Sequence, residues 1–154
     1  MKYSIDTCSI LQGFGLGPYP INRFKVLWDN IDSLINNGNL RAVKEVFYEL
    51  KKKEDKATEW AKKRPNLFIE IDDQIQSETK KITSRYPGLI NPDKEYPQAD
   101  CFVIALAKIN NAIVVTQEGF SNNPDIPKIP NVCRELRIER INFLDLINKE
   151  NWFF

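Results

Sequence analysis

The 154-residue chain contains no histidine. That absence removes Ser-His-Asp and Cys-His nucleophilic systems, and the histidine acid–base pairs of metal-free ribonucleases. It also removes most catalytic zinc sites. An enzyme built from these residues would turn first to carboxylates and a hard metal ion. Cysteine is scarce and odd in number: Cys8, Cys101 and Cys133 show no C-x-x-C spacing. This argues against a disulfide framework and a zinc site, and suits a reducing, cytoplasmic setting. No apolar run approaches the roughly 20 residues that cross a bilayer, so no membrane partner is expected. The N-terminal MKYSIDTCSI lacks the long apolar region of a signal peptide. Charge of one sign is missing too, with a net of +1, so bulk charge gives no signal for nucleic acid.

One segment departs from that balance. Residues 51–64, KKKEDKATEWAKKR, hold seven basic and three acidic side chains. A solvated helical face is the plain explanation. It gains interest only beside an acidic pocket.

The length suits one domain spanning residues 1–154, with a substantial core. Residues 2–6 read as a short strand ending in Asp6. A Gly/Pro-rich loop, GFGLGPYP, follows and matches no phosphate-binding loop. The 3.6-residue spacing of Phe24, Leu27, Trp28, Ile31, Leu34 and Ile35 predicts a helix from about Ile21 to Asn36. Leu40 to Val43 reads as a strand running into the helix KEVFYELKKKED, where Glu45 and Glu49 share a face. A further helical piece carries Trp60 and ends before Pro65. Leu67, Ile69 and Ile71 alternate as an edge strand, and Asp72-Asp73 open a polar helix to about Tyr86. Residues 86–97 form a loop. QADCFVIALA begins a helix at Asp100, with Ala99, Phe102, Val103, Leu106 and Ile109 in period. The apolar run Ala112 to Val115 predicts a strand covered on both faces. NVCREL is a short helix, Ile138 to Ile141 a last strand, and Asn142 the cap of a helix through Ile147. The tail Trp152-Phe153-Phe154 is read as core packing. Strands alternating with helices give a three-layer α/β domain around a mainly parallel sheet of four to five strands.

In such sheets function lies at the carboxyl ends of the strands. Asp6 ends the first strand, the Glu45/Glu49 helix follows the second, Asp100 opens the helix before the fourth, and Glu118 follows it. Each acid has a bland reading as a cap or a solvated side chain. Together they point to one end of one sheet. Clustered carboxylates repel one another, and Mg²⁺ or Mn²⁺ reverses that sign because hard divalent ions seek oxygen ligands.

The chain resembles PIN domains over nearly its whole length. YSIDTCSIL is similar to their first motif, KEVFYEL to the second, and QADCFVIALA with VVTQEGF to the third and fourth. Ile129-Pro130-Asn131-Val132-Cys133 and the Trp-containing first helix are similar to one PIN-like subfamily without an assigned function. The resemblance implies an α/β/α PIN-like fold and a metal-dependent ribonuclease related to VapC-type toxins of toxin–antitoxin pairs. Asp6 and Asp100 would bind Mg²⁺ or Mn²⁺ directly, with Glu49 and Glu118 as ligands or as holders of coordinated water. Thr7, Ser9, Glu45 and Thr116 would support these carboxylates. Cleavage would leave a 5′-phosphate and a 3′-hydroxyl. Lys51, Lys52, Lys53 and Lys56 would guide the RNA backbone. An antitoxin protein and a second copy of the chain are the implied protein partners.

Two features depart from the family pattern. Glu118 stands where Asp is usual, and GFGLGPYP is an insertion expected to cover or narrow the site. A phosphatase of the haloacid dehalogenase type would need an Asp where Cys8 stands. The remaining alternative is a PIN-like RNA- or protein-binding module without turnover.

Overall fold

A computed structural model describes residues 1–15, 17–93 and 98–154. Leu16 of the insertion and residues 94–97 of the loop expected over 86–97 lie outside the described residues. Five strands, β1 (Tyr3–Ile5), β2 (Leu40–Val43), β3 (Phe68–Ile69), β4 (Ile113–Val115) and β5 (Arg140–Ile141), form one sheet ordered β3-β2-β1-β4-β5. Every pairing is parallel, with Tyr3 opposite both Leu40 and Ile113, Val43 opposite Ile69, and Val115 opposite Ile141. Helices cover both faces, giving the α/β/α layers expected of a parallel sheet. The chain winds outward from β1 to β3, then returns to the other side of β1 for β4 and β5. The carboxyl ends of β1 and β4 therefore meet at the point where winding reverses, the usual place for a ligand crevice.

The helices in chain order are α1 (Thr7–Ile10), α2 (Lys25–Asn36), α3 (Lys44–Lys53), α4 (Asp55–Lys62), α5 (Asp73–Arg85), α6 (Asp100–Asn110), α7 (Ile129–Leu136) and α8 (Phe143–Lys149). Local chemistry explains their starts. Asp72 accepts the Ile75 N–H, and Asn142 and Asp145 form a reciprocal cap on α8. The apolar stripe of α2 buries Leu27, Trp28, Ile31, Leu34 and Ile35 as its period predicts. The helix starts at Lys25 rather than Ile21, because the Pro20 carbonyl accepts the N–H groups of Arg23 and Phe24 in a turn. α6 is buried almost all round, from Val103 to Ala107, packed on β1, β4, α5 and α7. No helix among the described residues is long and apolar enough to cross a membrane.

Three expectations are corrected. The segment after Asp6 is not loop throughout: α1 makes one turn, and Leu11–Gly13 continues as a 3₁₀ turn. The insertion packs away from the acids. Its Phe14 ring lies 5.9 Å from Trp28 and 6.0 Å from Trp60, while the Tyr19 carbonyl accepts the Trp28 Nε1–H at 2.9 Å. With α4 it borders a cavity of about 740 Å³ that none of Asp6, Glu49, Asp100 and Glu118 lines. Burial of large aromatic surface accounts for that placement. In the tail, Trp152 packs against the core, but Phe153 and Phe154 are 81% and 65% exposed. Asn151 at φ 56° turns the chain out of α8 and directs the last two residues to solvent.

Gly13 sets how closely the insertion approaches α2, since a Cβ there would stand 2.1 Å from Trp28 Cζ2. Gly13→Ala is expected to cost about 1–3 kcal/mol through overpacking. Gly119→Ala, with nothing within 4 Å of the added carbon, should be nearly neutral. Denaturant unfolding of the two variants checks the contrast, and equal stabilities would refute it.

Candidate active site

Asp6 sits where β1 ends and α1 begins, 4% exposed. Its backbone N–H joins the Val115 carbonyl at 3.1 Å, fixing it against β4. Three donors surround its carboxylate. The Ser9 N–H reaches Oδ1 at 3.0 Å, the Thr116 hydroxyl reaches Oδ2 at 2.5 Å, and the Cys8 thiol lies 3.1 and 3.0 Å from the two oxygens. Burial raises the Asp6 pKa from 3.8 to about 6, the three donors oppose the rise, and the charge of Glu118 adds to it. Asp6 is thus both a helix cap and a buried acid.

Thr116 is the hub that brings Glu118 to Asp6. While its hydroxyl donates to Asp6, the same oxygen accepts the Glu118 N–H at 3.1 Å. The Glu118 carboxylate accepts the Ile129 N–H at 3.2 Å, at the start of α7, and is half-buried. Glu49 joins from the other side: buried on α3, it accepts the Thr7 hydroxyl at 3.0 Å. Asp100 is half-buried in the first turn of α6, whose Val103 carbonyl accepts the Ser4 hydroxyl at 2.9 Å and so ties the helix to β1.

The supporting residues divide. Thr7 and Thr116 hold carboxylates through their hydroxyls, whereas Ser9 holds Asp6 through its backbone and gives its hydroxyl to the Val115 carbonyl at 3.2 Å. Glu45 answers instead to Glu70 and Lys44. Burial raises its pKa first, Glu70 adds to the rise, and its Oε2 is buried without a hydrogen-bond partner. Lys51, Lys52 and Lys53 are exposed in the last turn of α3, where cations suit the helix dipole, and Lys56 borders the insertion cavity. Sequence reasoning missed Cys8 as a contact of Asp6. It also missed Gln117, which donates its N–H to the Cys8 sulfur at 3.3 Å and accepts the Phe143 N–H at 2.6 Å. Adjacency to the first and fourth motifs is the signal that could have found both.

The donor set is hard oxygen throughout, which fits Mg²⁺ or Mn²⁺ better than zinc or copper. A carboxylate offers about four acceptor positions. The donors on Asp6 leave room for a cation if the weak thiol contact yields. Among the described residues, however, no three Asp, Glu or Cys side chains approach closely enough to enclose one ion. The chemistry of the donors fits a hard cation, and the separation of the acids makes Asp6 with Glu118 the nucleus of any such site.

The Asp6 carboxyl holds its proton more tightly in the folded chain, so stability falls as pH rises from about 4 to about 6 and stays reduced above. Asp6→Asn keeps a good cap and removes the ionisation. In EDTA it is expected to be more stable than the unaltered chain at pH 8, by about 1–3 kcal/mol. The gap should close near pH 4. Thermal melts at both pH values test this, and identical melting at pH 8 would overturn it.

Comparison with curated protein sequences finds no match. Among solved structures, VapBC-1 from nontypeable Haemophilus influenzae is similar over 94% of this chain and 99% of its own, with TM-score 0.57 and 18% identity. FitAcB from Neisseria gonorrhoeae is similar over 92% and 98%, with TM-score 0.53 and 20% identity. VapBC2 from Rickettsia felis, bound to a DNA fragment from their promoter, is similar over 92% and 98%, with TM-score 0.52 and 16% identity. At these identities the likeness is one of fold, and the fold is PIN-like. The model for "Domain of unknown function (DUF4411)" matches residues 3–154, and the chain belongs to that family.

Proposed function

We propose that the protein is a metal-dependent endoribonuclease, the toxin of a toxin–antitoxin pair. One observation carries the reading: a buried carboxylate, Asp6, stands at the carboxyl end of the central strand with Glu118 close enough to raise its pKa. Burying an ionisable acid beside another acid costs stability, and such costs gather at functional sites. Glu49 one hydrogen bond beyond Thr7, and Asp100 at the head of α6, supply the remaining carboxylates. The fold shared with VapBC and FitAcB supports the toxin setting. It implies an antitoxin and a second copy of this chain as protein partners, and RNA as substrate.

On this reading Asp6 and Asp100 hold Mg²⁺ or Mn²⁺. The bound ion lowers the pKa of water and offsets charge on the scissile phosphate. Thr116 and the Ser9 N–H fix the Asp6 carboxylate so that it needs no reorientation when the cation binds. Glu118 and Glu49 orient the attacking water and accept its proton, at an edge where Glu118 is itself fixed by Thr116 and the Ile129 N–H. The cation replaces a repulsion between Asp6 and Glu118 with an attraction, returning Asp6 to full ionisation at neutral pH.

A second reading, an RNA- or protein-binding PIN-like module without turnover, is favoured by the separation of the acids among the described residues. The two are distinguished by one assay. The nuclease reading expects cleavage of single-stranded RNA with Mn²⁺ or Mg²⁺, lowered at least about 100-fold by EDTA and likewise by Asp6→Asn. RNA binding with no cleavage under any divalent ion selects the module. Cleavage surviving both EDTA and the substitution would sink the mechanism.

A further inference from the structure

Two guanidinium groups beside the acid site stand without a counter-ion. Arg134 on α7 and Arg140 on β5 both lie over the ring of Phe120, 4.8 and 4.9 Å from its centroid. Among the described residues neither side chain makes an ion pair or hydrogen bond, and Phe120 is 46% exposed. The adjacent acids are engaged elsewhere: Glu139 pairs with Lys149 at 3.1 Å, and Glu135 acts on Tyr86. Phe120 follows Glu118 by two residues. The buried Cys133 thiol, raised to about 12 by burial, is lowered by the Arg140 charge and raised by that of Glu118, which puts both within electrostatic reach of one point. Arg134 also borders a cleft of about 440 Å³ that Arg85, Ser121 and Asn131 help to line.

Two like charges held over one aromatic ring repel, and the ring quadrupole only partly offsets that. A group that meets planar forked donors and neutralises two charges is a phosphate. We propose that Arg134 and Arg140, positioned by Phe120, clamp a backbone phosphate of single-stranded RNA beside the acid site. This rests on the ribonuclease reading. The clamp lies on the β4–β5 side of Asp6, whereas Lys51, Lys52 and Lys53 follow Glu49 on the β2 side. A strand crossing the sheet edge would therefore meet cations on both flanks of the acids.

Binding of a fluorescent single-stranded oligoribonucleotide, measured over a salt series with every variant in an Asp6→Asn background, tests the clamp without cleavage. Arg134→Gln with Arg140→Gln should weaken binding about tenfold and flatten the slope of log affinity against log salt by about 1.4, roughly 0.7 for each lost contact. Lys at both positions should keep the slope but lose part of the affinity. Phe120→Ala should weaken binding although both charges remain. Arg137→Gln, an exposed cation on the same helix end, should change little. Wild-type affinity and slope in the double Gln variant, or an equal loss in Arg137→Gln, overturns the clamp. Binding without cleavage by the unaltered chain fails the nuclease reading and still decides the clamp. No RNA binding by that chain overturns both.

Discussion

A carboxylate buried at the end of the central strand organises this molecule. An ionised acid removed from water needs donors in fixed places, and the fold supplies them from three directions. The first turn of α1 gives the Ser9 N–H, the end of β4 gives the Thr116 hydroxyl, and Cys8 spans both oxygens. Each donor ties Asp6 to a different element, so strand pairing and the capping of α1 are one requirement. The Val115 carbonyl shows the economy of the join: it accepts both the Asp6 N–H and the Ser9 hydroxyl. Moving β4 relative to β1 would unsatisfy the acid and the carbonyl together.

The same join explains why Glu118 belongs to the site despite its extra methylene. Thr116 accepts its N–H, the start of α7 accepts its carboxylate, and the side chain is held half-buried beside Asp6. Length at this position is absorbed by the helix start of α7, which gives the longer acid a place to rest. A carboxylate at a helix N-terminus is favoured by the dipole. The acid is therefore stabilised on its own account while it raises the pKa of its neighbour.

Much of this was legible in the sequence because it is local. Uninterrupted apolar runs gave β2 and β4, the 3.6 period gave α2, and single caps gave the starts of α5 and α8. Asp6, Glu49 and Glu118 could be placed at one sheet edge because a parallel sheet brings together residues that follow successive strands. What escaped depends on contacts between distant segments. The aromatic cluster of Phe14, Trp28 and Trp60 draws the insertion away from the acids, and no local pattern announces that choice. Glu45 shares a helical face with Glu49, yet Glu49 reaches Thr7 while Glu45 answers to Glu70 on the edge strand. Periodicity ranks two acids equally; only packing against different strands separates them. The exposed Phe153 and Phe154 fail for the converse reason, since apolar character says nothing of a turn at Asn151.

Strand order also segregates charge. Acids follow β1 and β4 at the centre of the sheet, while exposed cations lie on α3 beyond β2 and around β5. A polyanion approaching that edge is attracted at the flanks and repelled at the middle. Without a cation the repulsion rises with pH as Asp6 ionises, in the same range where the buried charge weakens the fold. A divalent ion at Asp6 and Glu118 removes both penalties at once, because binding to the folded state alone stabilises it by mass action. Metal affinity, fold stability and acceptance of a phosphodiester at the centre are then one linked equilibrium, set by a single buried carboxylate and the acid that Thr116 holds beside it.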